Sequence, residues 1–316
     1  MKRLICYLLF VTLTVGSACG QDAKPSWRAT LKVIDEAGEP VAGATVVVSY
    51  YVHPPPGQSE AGDMIQGMTD VTGTFTASQT NTGSIGLSFQ ASKPGYYTTT
   101  KGHEFARFKD NDPAKWNPNE TLALKKCVNP IPMYAKFTIN LKFPALGTPI
   151  GYDLMMGGWV APYGNGKTAD MIFTKEYYDK PPGEYYSKIT VSFANRGDGI
   201  QEFSAPSLAQ DGCSDLRSPH EAPLDGYQSQ WIQEVSASPG QPARMDYNSQ
   251  RNYFFRVQTV SDTNGNVKSA LYGKIYGDFM QFRYFLNPTP NDRNIEFDSK
   301  QNLLKGLDAL HQVSAP

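Results

Sequence analysis

Four histidines, His53, His103, His220 and His311, are the side chains in this 316-residue chain best suited to proton transfer or metal ligation. None stands at ligand spacing from another, and His103-Glu104 lacks the second histidine of a metalloprotease helix. No G-x-S-x-G elbow is present. His220 and Glu221, with Asp215 and Asp225 close in sequence, form the densest polar group that could serve a hydrolase. Asp110, Asp112 and Glu120, with Asn117 and Asn119, supply hard oxygen ligands of the kind calcium takes, but their spacing matches no defined calcium loop. Solvated turn chemistry explains the same residues. Asp262-Thr263-Asn264-Gly265-Asn266 starts like a calcium loop, but Val267 stands where glycine is required, so it reads as a hairpin tip with a type I′ turn at Asn264-Gly265. No cofactor motif is found, and calcium is the one ion the residues suggest.

Aromatic pairs are the second kind of chemistry. Tyr96-Tyr97, Tyr177-Tyr178 and Tyr185-Tyr186 lie in or beside strand-like runs, as does Trp231. Neighbours in a strand face opposite sides, so one ring of each pair should point outward, where it can stack on a sugar. Cross-strand ring pairing within the sheets is the competing and favoured explanation.

The N-terminus, MKRLICYLLFVTLTVGSACGQ, has the layout of an export signal: Lys2 and Arg3, an apolar run from Leu4 to Val15, then small residues. Ser17-Ala18-Cys19 resembles a bacterial lipoprotein signal, which would make Cys19 an acylation site and the protein's only link to a membrane. Simple secretion is the alternative. The signal, residues 1–20, takes Cys6 with it, or, cut before Cys19, leaves that residue as the lipidated N-terminus. Cys127 and Cys213 then remain as an expected disulfide in an oxidising compartment. No Cys/His cluster fits zinc.

Composition points to strands. Charged residues are 19%, aromatics 12%, and the chain holds 28 glycines and 23 prolines, a pattern of many turns and ring-filled cores. Net charge is −1 with no basic stripe, so nucleic acid is not an expected partner.

The elements follow. Ala29, Leu31 and Val33 alternate with polar residues, as do Val46, Val48 and Tyr50, and Leu87, Phe89 and Ala91. These runs place one small β-sandwich at residues 28–126. The stretches VIDEAGEPVAGATVVV, GMTDVTGTF and SKPGYY resemble the carboxypeptidase regulatory-like domain, a transthyretin-like sandwich. Val33, Asp35, Gly38, Pro40, Val41, Gly43, Ala44 and Val46 match its first hairpin. Thr69, Asp70, Gly73 and Phe75 match its middle turn, and Lys93 to Tyr96 its late element. The resemblance covers about a third of the chain and implies a non-catalytic accessory, spacer or binding fold.

Residues 127–132, with two prolines, read as a linker. Residues 133–298 read as a second, larger sandwich or jelly roll. Phe137, Ile139, Leu141 and Phe143 alternate in it, as do Ile189, Val191 and Phe193. Leu303, Leu304, Leu307 and Leu310 stand at helical spacing in a tail of residues 299–316, which predicts one short helix. The whole reads as an all-β exported envelope protein that binds a glycan or a protein partner without converting it. Two alternatives are a polymer hydrolase with its site in residues 133–298, and an assembly subunit that pairs through strand edges.

Overall fold

The computed structural model describes residues 27–52, 61–79, 86–104, 117–206, 212–246, 248 and 250–316. Among them every regular element is a strand, and the all-β expectation holds. The first lobe contains β1 (Trp27–Asp35), β2 (Thr45–Val52), β3 (Ala61–Met68), β4 (Thr74–Gln79), β5 (Gly86–Ser92), β6 (Thr99–Glu104) and β7 (Asn119–Leu124). The second contains β8 (Ile131–Thr138), β9 (Ile150–Asp153), β10 (Gly158–Trp159), β11 (Met171–Lys180), β12 (Glu184–Ser192) and β13 (Gly199–Ser204). After β14 (Cys213–Ser214) it continues with β15 (Gln230–Ala237), β16 (Arg244–Met245), β17 (Arg251–Ser261), β18 (Val267–Asp278), β19 (Gln281–Leu286) and β20 (Phe297–Asn302).

In the first lobe the sheets run β4-β1-β7 and β14-β6-β5-β2-β3. The alternation read from the sequence is the one that buries: Ala29, Leu31 and Val33 face Val46, Val48 and Phe89 in a single core. Two turns close it by one device. Asp35 Oδ1 accepts the Ala37 and Glu39 amides, and Asp70 Oδ1 accepts those of Thr72 and Thr74. The fourth residue is a glycine with positive φ in both. Thr69 Oγ1 then donates to the Val41 carbonyl and accepts from the Ala44 amide, tying the second turn to the first hairpin.

The second lobe stacks β10-β9-β11-β12-β15-β16 on β13-β17-β18-β19-β8-β20. Between them lies an aromatic core that includes Tyr152, Phe173, Tyr253, Phe255, Phe279, Phe282 and Tyr284. The sheet containing β18 is buried on its other face too, by Met133, Phe254, Tyr272, Tyr276, Phe285 and Phe297. That explains why ALYGKIY, inside β18, shows no clean alternation: a strand covered on both sides is apolar throughout.

Several expectations change. The linker is shorter, because Ile131 and Pro132 already belong to β8. That strand stops at Thr138, where Asn140 adopts φ 48° and turns the chain, although Leu141 still buries. The β17–β18 tip is a longer loop that repeats the aspartate turn: Asp262 Oδ1 accepts the Asn264 and Asn266 amides, and Gly265 alone has positive φ. The tail forms no helix. Gly306 has φ 74°, Leu310 is 69% exposed, the His311 amide closes a turn on the Asp308 carbonyl, and the Phe137 amide donates to the His311 carbonyl, so the segment runs as bends and a turn beside β8 and buries Val313 instead. β14, from the second half of the sequence, crosses over to pair with β6 of the first lobe.

That crossing is one part of a firm junction. Glu296 is 1% exposed. Its Oε2 accepts the Tyr97 hydroxyl at 2.8 Å and the Val128 amide at 3.0 Å. Its Oε1 accepts the Asn129 amide at 3.3 Å and lies 2.8 Å from His220 Nδ1. The His220 contact is short but not aimed along a ring N–H, so it is an electrostatic contact rather than an aligned hydrogen bond. Lys125 of the first lobe donates to the Ser218 carbonyl, and the Asp215 amide donates to Thr98.

Candidate functional site

The chain between β9 and β11 builds an open cleft among the described residues. Asp153, at the end of β9, is buried and accepts four backbone amides. Met155 and Met156 bond its Oδ1, and Lys167 and Thr168 bond its Oδ2. One carboxylate therefore closes a loop from both ends. Asp170 accepts the Leu154 amide and the Gln258 side chain, and burial pushes its carboxyl up to about 6. Within the loop the chain folds tightly on itself: a Cβ at Gly164 would sit 2.3 Å from the Trp159 carbonyl. The loop thus presents Trp159 in a fixed pose. Its ring meets Tyr152, Phe143 and Phe173 at 5.3–5.7 Å, and its Nε1 donates to the Lys142 carbonyl.

Opposite the loop runs the chain that leaves β8. Together they enclose a cleft of about 310 Å³ lined by Lys136, Thr138, Ile139, Asn140, Leu141 and Lys142 on one side. Tyr152, Gly157, Gly158 and Trp159 line the other side, and His311 of the tail closes the rim. Lys136 Nζ donates to the Gly157 carbonyl at 2.6 Å, joining the two walls. Burial lowers its ammonium's pKa, partly offset by Asp308. Burial likewise pushes the Tyr152 phenol up to about 12. Thr138 Oγ1 is buried without an aligned hydrogen-bond partner, its polar neighbour being that same phenol. His311 Nδ1 rests on Asp308 at 2.7 Å. No aspartate, glutamate, serine or cysteine lines the cleft, so its lining holds no carboxylate pair.

The residues singled out from the sequence are dispersed. Cys19, His53, Asp110 and Asp112 lie outside the described residues. Glu120 is not a free metal ligand: Lys101 Nζ lies 2.7 Å from one oxygen and His103 Nδ1 2.9 Å from the other. The expected disulfide is not formed. Cys127 and Cys213 are free thiols, with Cys213 Sγ turned to the carbonyls of Pro206 and Ser214. Among the described residues no three acids, histidines or cysteines gather into a metal site. The polar group near His220 does not converge either. His220 faces Glu296 and Glu36, Glu221 pairs with Arg293, and Asp225 is exposed elsewhere.

The aromatic candidates divide. Tyr97 is buried in the lobe junction, where it cannot meet a ligand, and Trp231 is half-buried, packed on Tyr253 and Phe279 at the edge of the core. Tyr96 is half-buried against the first lobe's core. On the β11–β12 hairpin Tyr178 stacks on Tyr186 at 5.3 Å and Tyr177 meets Tyr185 edge-on at 5.7 Å. These are the cross-strand pairs favoured from the sequence. Alternation places one pair on each side of the hairpin, so they form no single aromatic strip. Trp159 and its cleft went unread in the sequence. The available signal was DLMMGGWVAPYGNGKTAD, a tryptophan among four glycines between two strand-like runs.

No family model and no curated protein matches the chain. Among solved structures it is similar to a 3-chlorocatechol 1,2-dioxygenase from Rhodococcus opacus, at 14% identity and a TM-score of 0.25, over 34% of this chain and 62% of that one. It is also similar to a point mutant of the shaft pilin SpaA of Lactobacillus rhamnosus GG, at 10% identity and a TM-score of 0.25, over 87% and 95%. A streptococcal ancillary pilin gives 9% identity and a TM-score of 0.22, over 84% and 59%. Likeness of this size carries no functional argument, and the all-β architecture rests on the strands themselves.

Proposed function

We propose that this chain is a non-catalytic, exported cell-envelope protein that binds an extracellular polymer through the Trp159 cleft. The observation that carries the reading is the cleft's lining: a half-buried Trp159 ring beside amide and hydroxyl groups, two lysines and His311, with no carboxylate among the lining residues. The first lobe's likeness to carboxypeptidase regulatory-like domains supports a spacer role for it. The Glu296 junction would make that spacer stiff, so that the cleft is held at a fixed distance from an anchor at Cys19. The test is a pulldown of the leaderless protein on cell-wall and extracellular polysaccharide, with chromatography of the soluble fraction. Saturable binding without shorter products supports the reading, and product release refutes it. Membrane release of a Cys19→Ser variant tests the anchor.

A second reading, assembly by strand addition, is favoured by β3. It flanks the five-stranded sheet, and the described residues offer its outer edge no partner strand. Its only charge is Asp63, and Met64 and Met68 are more than 60% exposed. The edges of the second lobe are shorter or covered: β10 and β16 have two residues each, and Gln228 caps β13 at Ile200. Met64→Lys should abolish any self-association seen by sedimentation. Unchanged association would exclude this edge.

A further inference from the structure

We infer that the cleft takes an acidic saccharide, a sugar ring bearing a carboxylate or a sulfate; this rests on the polymer-binding reading above. Three features converge on that class. The first is charge. Lys136, Lys142 and His311 line the cleft and no carboxylate does. Lys142 is exposed, and its ammonium pairs with no carboxylate among the described residues. Lys136 commits one N–H to Gly157 and keeps two, and His311 Nδ1 is committed to Asp308. An anion here meets the ammonium groups of both lysines, and the one carboxylate at the rim, Asp308, is held by His311.

The second feature is the ring. Trp159 is only half-buried despite three aromatic neighbours, so part of its indole stays open to the cleft. An indole fixed from behind offers an apolar plate without ordering cost, which suits the C–H face of a sugar. The third is the polar inventory beside that plate. The Asn140 amide lies next to irregular backbone, matching the scattered hydroxyls of a saccharide. A peptide side chain would need a deeper apolar pocket. The volume sits at the small end of ligand sites, about 300–1,000 Å³, enough for a short stretch of sugar.

The test titrates the full chain calorimetrically with trigalacturonate, its methyl ester and a sulfated galactose trisaccharide. One or both acidic sugars should bind about tenfold or more tightly than the neutral ester, and the advantage should shrink with added salt. Lys142→Glu, at an exposed position that folding does not need, should erase the advantage. Trp159→Phe should weaken all three ligands while keeping the preference for acid. Equal binding of acid and ester would overturn the acidic class and leave the polymer-binding reading intact. No saccharide binding, with uptake of a free-carboxylate tripeptide instead, would overturn both. Shortening of any sugar would overturn the non-catalytic reading.

Discussion

Replacing Glu296 with glutamine tests whether the two lobes behave as one body. The carboxylate accepts Tyr97 and Val128 on Oε2 and Asn129 on Oε1, where His220 Nδ1 adds an electrostatic contact. An amide must put its NH2 where one oxygen was, so up to two donors lose their acceptor. Charge-assisted bonds are worth about 1.5–3 kcal/mol each, which sets a ceiling of about 6 kcal/mol. Two effects lower it. The Val128 and Asn129 side chains are exposed, so water can reach their amides, and neutral His220 can offer Nδ1 to the new NH2. The expected loss is therefore about 2–4 kcal/mol, a large part of a domain's usual stability of about 5–15 kcal/mol. Tyr97→Phe removes one donor and should cost about 1–2 kcal/mol. The double variant should cost less than the sum, because both changes break the same bond. Urea titrations followed by circular dichroism and by tryptophan fluorescence measure this. A Glu296→Gln variant within about 0.5 kcal/mol of wild type would refute the junction's importance.

Asp170 is buried and its folded pKa, about 6, lies above its ordinary value. The folded state thus holds a proton longer than the unfolded state, and stability from this group falls as pH rises through about 4 to 6. Asp170→Asn should therefore gain about 2–3 kcal/mol relative to wild type between pH 4 and pH 7 in paired urea titrations, and a constant difference would contradict the argument. Lys274 is fully buried, its Nζ 3.4 Å from Ser218 Oγ and over the rings of Tyr276 and Phe285, and burial lowers its pKa far below normal. The unfolded chain binds the proton that the folded one lacks, so wild-type stability should rise with pH from 7 to 9, and Lys274→Met should be more stable at pH 7 and flatter in that range. Asp153→Ala removes the acceptor of four amides, should cost about 3 kcal/mol or more, and should shift Trp159 emission to the red as its loop opens. An unshifted spectrum would mean that the aromatic contacts alone hold the ring.

The sequence showed some of this directly because the controlling physics is local. Period-two alternation placed β1, β2 and β5, and the aspartate-to-glycine spacing placed the turns at Asp35 and Asp70. Alternation failed where burial is two-sided, as in β18, or where a short-range conformation overrides pattern. Asn140 ends β8 before Ile139, Leu141 and Phe143 can extend it, and that break forms a wall of the cleft. The tail leucines have helical spacing, yet a main-chain bond from Phe137 to His311, a turn closed on Asp308 and the positive φ of Gly306 hold the segment in turns instead. The candidate site was the least legible part. Trp159 gains its meaning from Asp153, Tyr152 and Phe143, which come together only through sheet pairing across the lobe. Likewise Tyr97 and Trp231 have the residue type of ligand contacts, but tertiary packing buries Tyr97 and lays Trp231 against the edge of the core.

Hydrogen exchange of the full chain with and without extracellular polysaccharide tests the account most directly. Binding at the cleft predicts slowed exchange confined to residues 136–142 and 157–168, with the polysaccharide recovered at its original length. Protection on the β11–β12 hairpin or along β3 in their place, or a shortened polymer, would contradict it.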